Sequence, residues 1–135
     1  MKSGIIILTI LLCGLTQNFQ SDSKKETKYI LKGKLINGFD GLTPLCGISA
    51  WATVLEFEII EFSDSEYIDK TIPIIFTCPN SKSNKQFKVG KTYELILTDK
   101  NPSKFEWTML ESKREILNQY ELNKEYWFVE NKNSR

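Results

Sequence analysis

Glu56 and Glu58 stand two positions apart in a run that alternates apolar and polar residues. In an extended strand both carboxylates project from one face, about 7 Å apart. Paired carboxylates at that spacing could divide acid and base roles between them. The wet face of an amphipathic strand accounts for the same pair without chemistry, and the rest of the sequence favours that reading. There is no histidine anywhere in the chain, so serine or cysteine triads of the common type are excluded. Gly38, Gly41 and Gly47 do not form a phosphate loop, and Gly90-Lys91-Thr92 lacks the glycine four residues upstream that such a loop needs. The expectation is a chain with no enzymatic site, no cofactor and no bound metal.

Three cysteines remain to be explained. Cys13 falls in an N-terminal segment where Lys2 precedes an apolar run, residues 5–12, interrupted only by Thr9. That run is shorter than the roughly 20 residues a membrane span needs, and it suits the apolar region of a secretion signal. Residues 1–20 are therefore expected to be a signal peptide, and residues 21–28 a polar, lysine-rich leader. Cleavage after Thr16 has small residues at the required positions, while cleavage after Gln20 leaves a polar start. Lipid attachment at Cys13 is a third option, disfavoured because Leu12 is not small. With the signal removed no transmembrane segment is expected, and the protein is placed in the periplasm or outside the cell. Cys46 and Cys78 then form an even pair in an oxidising compartment, which predicts a disulfide. Closing a loop of that size contributes roughly 3–4 kcal/mol in the chain-entropy description.

Charge narrows the partners. The chain carries 18 basic and 17 acidic residues, and removal of Lys2 with the signal leaves the two in balance. Sixteen of the basic residues are lysine and two are arginine, whereas bidentate phosphate recognition tends to use arginine. No basic stripe marks a nucleic-acid interface. The expected partner is an exported protein or a glycan.

The elements that would position any site read as strands. Tyr29, Leu31 and Gly33 alternate with Ile30, Lys32 and Lys34, and Asn37-Gly38 ends the run. Residues 39–47 form a breaker-rich loop. A long segment over 48–62 follows, in which Trp51, Leu55, Phe57 and Ile59 share one parity and Glu56, Glu58 and Glu61 are interleaved. The phase slips at Ile59-Ile60, as a β-bulge would make it, so that Phe57 and Phe62 both face inward. Residues 71–77 are a β-branched run with Pro73 at an edge or bulge. Residues 92–98 alternate again, Ser112 and Glu115 suggest a capping box for a short helix near 113–120, and 126–129 reads as a closing strand. The fold class is all-β: a small OB-like five-stranded barrel with a short C-terminal helix, occupying residues 29–130 with a tail at 131–135.

Two stretches resemble the netrin-like branch of OB-folds, which includes tissue inhibitors of metalloproteases. One is the long strand 53–62 with its short connection to 72–79; the other is Phe87-Lys88-Val89-Gly90-Lys91-Thr92-Tyr93-Glu94-Leu95, similar to a Gly-Lys-x-Tyr-Leu strand start in those domains. The resemblance implies a barrel with a binding role. The Cys-x-Cys motif with which the family's inhibitors chelate zinc is absent, so that mechanism does not carry over.

Two further constellations bear on binding. Phe39, Leu42 and Leu45 lie in a loop tied down by Cys46, and they form either a recognition ridge for a partner or a plug over the barrel end. Trp51, Trp107 and Trp127 could stack on a sugar, though core packing explains most tryptophans in so small a domain. The expected function is non-catalytic binding near the disulfide end. The alternative is a small inhibitor or immunity-like protein that blocks an exported enzyme.

Overall fold

The computed structural model describes residues 26–41, 44, 46–47, 49–79 and 87–132; the signal and lipidation readings, and Leu42 and Leu45, fall outside them. Among the described residues are six strands and one helix: β1 (Lys28–Asn37), β2 (Trp51–Phe62), β3 (Thr71–Thr77), β4 (Thr92–Thr98), β5 (Thr108–Met109), α1 (Glu111–Asn118) and β6 (Tyr126–Asn131). Strands run β1-β4-β6-β3-β2 and close by pairing β1 with β2, giving a five-stranded barrel with β5 appended to β2. All the ladders within the barrel are antiparallel except β3–β6, which is parallel. An all-β, OB-like barrel is thus the architecture.

The long β2 bends as its phase predicts. On β1 the register passes from Lys32↔Glu61 to Gly33↔Ile59, so Ile60 is the extra residue. Ile60 is half exposed, Phe57 is fully buried, and Phe62 packs against the core. A bulge turns one residue out and lets the strand coil. The two strands run very close here: a Cβ on Gly33 would lie 3.2 Å from both the Glu58 carbonyl oxygen and the Phe57 Cβ. Only glycine fits that approach without a shift. Pro73 sits opposite Glu56 in the β2 ladder, while β6 pairs only with Ile74 and Ile75. Its missing amide therefore falls just beyond the β3–β6 ladder.

Two features differ from the sequence reading. The first half of β2 is buried on both faces, Ala52 and Val54 as completely as Leu55. Ala52, Val54 and Ile75 form a second cluster beneath Leu117, with Trp107, Met109, Ile116, Leu122 and Trp127 packed around it. The cover is the segment between β4 and β6. It leaves β4, pairs Thr108 and Met109 with Trp51 and Ala52, and returns through α1 across the outer face of β2 and β3. The capping box also fails to form. The helix begins two residues early, with Leu110 at the N-cap and no side-chain cap; the Leu110 carbonyl accepts from the Lys113 and Arg114 amides. The short β5 delivers the chain directly into the helix, so Ser112 lies inside its first turn.

Candidate functional site

The barrel has two differently built ends. At one, the β1–β2 connection meets the chain leaving β3. Cys46 and Cys78 are joined in a disulfide with their Cα atoms 5.3 Å apart, across a separation of 32 residues. Cys78 holds a left-handed backbone, φ 46°, and its amide donates to the Trp51 carbonyl at 2.9 Å. A non-glycine residue in this region is uncommon and is kept there by its surroundings. Phe39 turns its ring edge-on to Phe76, 5.9 Å between centroids, and packs half-buried on the barrel core. One side of the Phe39 ring thus lies on the barrel core and the rest remains accessible. The next residue, Asp40, forms an ion pair with Lys113 of α1, a lysine only 4 % exposed. Loop, strand end and helix are tied together here by one covalent bond and one ion pair between a buried lysine and an exposed aspartate.

The turn from 87 to 91 completes this end. The Lys88 amide donates to the Tyr93 hydroxyl at 2.7 Å, the Gly90 amide to the Leu35 carbonyl at 2.7 Å and the Leu35 amide to the Lys91 carbonyl at 2.9 Å. Gly90 has φ 84°, which a glycine adopts without steric cost. Phe87 is buried against Phe76, Tyr93 and Phe128.

The opposite end is aromatic and ionic. Tyr29, Phe62, Tyr67 and Tyr126 pack edge-on or tilted, with centroids 5.3–6.1 Å apart. Into this cluster reach Asp64, 7 % exposed, and Lys124, whose ammonium lies 2.7 Å from Asp64 Oδ2. Tyr126 donates to the same oxygen at 2.7 Å, and the Glu66 amide donates to Oδ1 at 3.1 Å. Lys124 also donates to the Tyr29 hydroxyl at 3.2 Å and stands 5.0 Å above that ring's centroid. Burial alone would push the Asp64 carboxyl up, but the bonds from Lys124, Tyr126 and the Glu66 amide outweigh it and hold it below the ordinary carboxylate value. The Asp64 bond correspondingly raises Lys124. Burial first, then the Asp64 contact, raises Tyr126, and burial raises Tyr67. No sequence motif announces this group, because Asp64 and Lys124 are far apart in the chain. Only the polarity of two loops next to strand ends hinted at it.

The paired glutamates are separated by their surroundings. Glu56 accepts from Asn37 Nδ2 at 2.6 Å and from the Tyr120 hydroxyl at 2.6 Å; Glu58 is exposed on the strand. Burial, and next the bond to Glu56, push the Tyr120 hydroxyl up. Glu56 thus anchors the chain leaving α1 to β1 and β2. Trp107 and Trp127 pack in the second cluster, and Trp107 Nε1 donates to Asn101 Oδ1 at 3.0 Å. Trp51 is half-buried beside β5. Among the described residues no group of three or more acidic, cysteine or histidine side chains could hold a metal ion, and no helix is long and apolar enough to cross a membrane.

No protein-family model matches the chain, and no curated protein or solved structure matches it significantly.

Proposed function

We propose that this chain is an exported, non-catalytic binding domain that recognises a protein or glycan partner with its disulfide end. The observation that carries the reading is the bridge between Cys46 and Cys78, reinforced by the Lys113–Asp40 ion pair. Disulfides persist in oxidising compartments, which agrees with the secretion signal expected over residues 1–20. A connection held in place in advance loses less entropy when it binds. The side chains best suited to acid–base work support the same view. Glu56, Asp64 and Lys124 are each engaged in bonds between elements. The oligomer-binding face that OB barrels commonly use, the outer side of their second and third strands, is here covered by α1 and β5. The netrin-like resemblance is proposed to extend to a binding role and not to zinc chelation.

Intact-mass measurement of protein from the envelope or medium should show loss of about 20 N-terminal residues. Full-length protein in the cytoplasm would overturn export. A pull-down and a glycan array with the exported protein should return a partner that the C46S/C78S variant no longer binds, although circular dichroism still reports a folded barrel. Equal binding by both proteins would move the docking surface away from this end.

A further inference from the structure

We propose that the turn at 88–91 docks the barrel's disulfide end onto an anionic phospholipid surface. The inference goes beyond the protein or glycan reading and does not depend on it. Val89, at the tip of the turn, is 62 % exposed, and Ile36 at the end of β1 is 42 % exposed. Lysines flank the valine on both sides. Lys88 and Lys91 are exposed, and among the described residues neither has an acidic partner, whereas Lys32, Lys113, Lys124 and Lys132 each have one. The next acid along the chain, Glu94, is taken by Lys132 at 2.6 Å. Lys34 is exposed nearby on β1, with Glu58 opposite it in the ladder. In sequence, no acidic residue occurs between Cys78 and Glu94.

The chemistry of these residues selects among anionic partners. Protein interfaces are depleted in lysine and enriched in arginine and aromatic rings, and this turn contains neither arginine nor an exposed ring. Within the turn itself no aromatic face is open for stacking on a sugar, since Phe87 is buried. Lysines are strongly hydrated point charges on long apolar stems. They suit a diffuse layer of lipid phosphates, each contributing attraction near an anionic bilayer. An aliphatic tip between them can enter the boundary between headgroups and acyl chains. The turn is also fixed in place by its bonds to Leu35 and Tyr93, so little ordering is left to be lost on docking.

Co-sedimentation of the exported protein with vesicles of mixed phosphatidylcholine and phosphatidylglycerol, and with pure phosphatidylcholine, tests this directly. Binding is expected to the mixed vesicles only, and to fall as salt rises. Each lysine is expected to account for about fivefold in affinity, so K88E/K91E should bind at least about 25-fold more weakly while melting at the wild-type temperature. V89S should lose severalfold. Equal binding to both vesicle types, or unchanged binding by K88E/K91E, would overturn the proposal. So would a V89S variant that binds as well as wild type while a soluble acidic polysaccharide competes fully, since charge alone would then explain the contact.

Discussion

The two ends of this barrel are closed by different means. At one, the connections are held by a disulfide, by Phe39 laid on Phe76, and by an ion pair from α1. At the other, four aromatic rings surround the Asp64–Lys124 pair, with no covalent bond. The difference follows the length of the connections. The β1–β2 and β3–β4 connections, 38–50 and 78–91, are the longer ones, so ordering them is entropically costly. A covalent tie acts on that cost in the unfolded chain. The connection from β2 to β3 is shorter and folds on itself around Asp64, whose carboxylate accepts from the Glu66 amide while the Tyr67 hydroxyl donates to the Thr71 carbonyl at 2.6 Å. Local hydrogen bonds and one buried charge pair suffice there.

The largest effect should come from the covalent end. Replacing both cysteines with serine is expected to cost about 3–4 kcal/mol in denaturant unfolding, a large share of the ~5–15 kcal/mol available to a small domain. A loss below about 1 kcal/mol would mean that the unfolded chain is already compact between Cys46 and Cys78, so that the bridge removes little of its freedom.

The ionic end should come next. Lys124→Met leaves Asp64 buried without its partner, at an expected cost of about 3 kcal/mol, the low end for a broken buried pair because Lys124 is partly wet. The pH dependence has a definite sign. Asp64 is depressed in the folded state, so its contribution is present above the unfolded carboxylate value of about 4 and is lost as pH falls through the folded one. Lys124 is raised, so its contribution is present below the unfolded value of about 10.4 and is lost as pH rises through the folded one. The stability difference between wild type and Lys124→Met should therefore be flat from about pH 5 to 9 and narrow on both sides. A difference that stayed constant down to pH 2 would show that the pair contributes by packing alone.

The smallest effect sharpens the comparison within the disulfide end. Phe39 is half-buried, so Phe39→Ala should cost about half of the ~3–5 kcal/mol typical of a buried phenylalanine. An unchanged melting temperature combined with loss of partner binding would assign Phe39 to the recognition surface.

Much of the barrel was legible because its signals are local. Alternation identified the long strands, the slip at Ile59-Ile60 located the bulge, and an even pair of cysteines gave the bridge. The missed features all depend on contacts between distant segments. Ala52 and Val54 carry the outward parity of β2 and are small, so nothing local distinguishes a covered outer face from an exposed one. The two-residue β5 is too short to show a period. The serine and glutamate of a capping box were present, but where the helix starts was decided by the strand pairing just before it. Within the candidate site, Cys46 and Cys78 could be read in advance, whereas Asp64 and Lys124 looked like ordinary loop charges. Phe39 was legible as apolar, but not in which direction its ring points.

The position of β6 has a consequence for how the molecule can assemble. It lies between β3 and β4, pairing with Ile74 and Ile75 on one side and with residues 95–98 on the other, although it follows both in the chain. Until it arrives, β3 and β4 each present an unpaired edge, and the ring of strands stays open. Such edges are templates for pairing between molecules, and closure through distant partners is slow to form. A chain interrupted before Tyr126 should therefore be an aggregating, open sheet of the four remaining barrel strands, not a smaller stable domain. Closure of the barrel rests on the last strand.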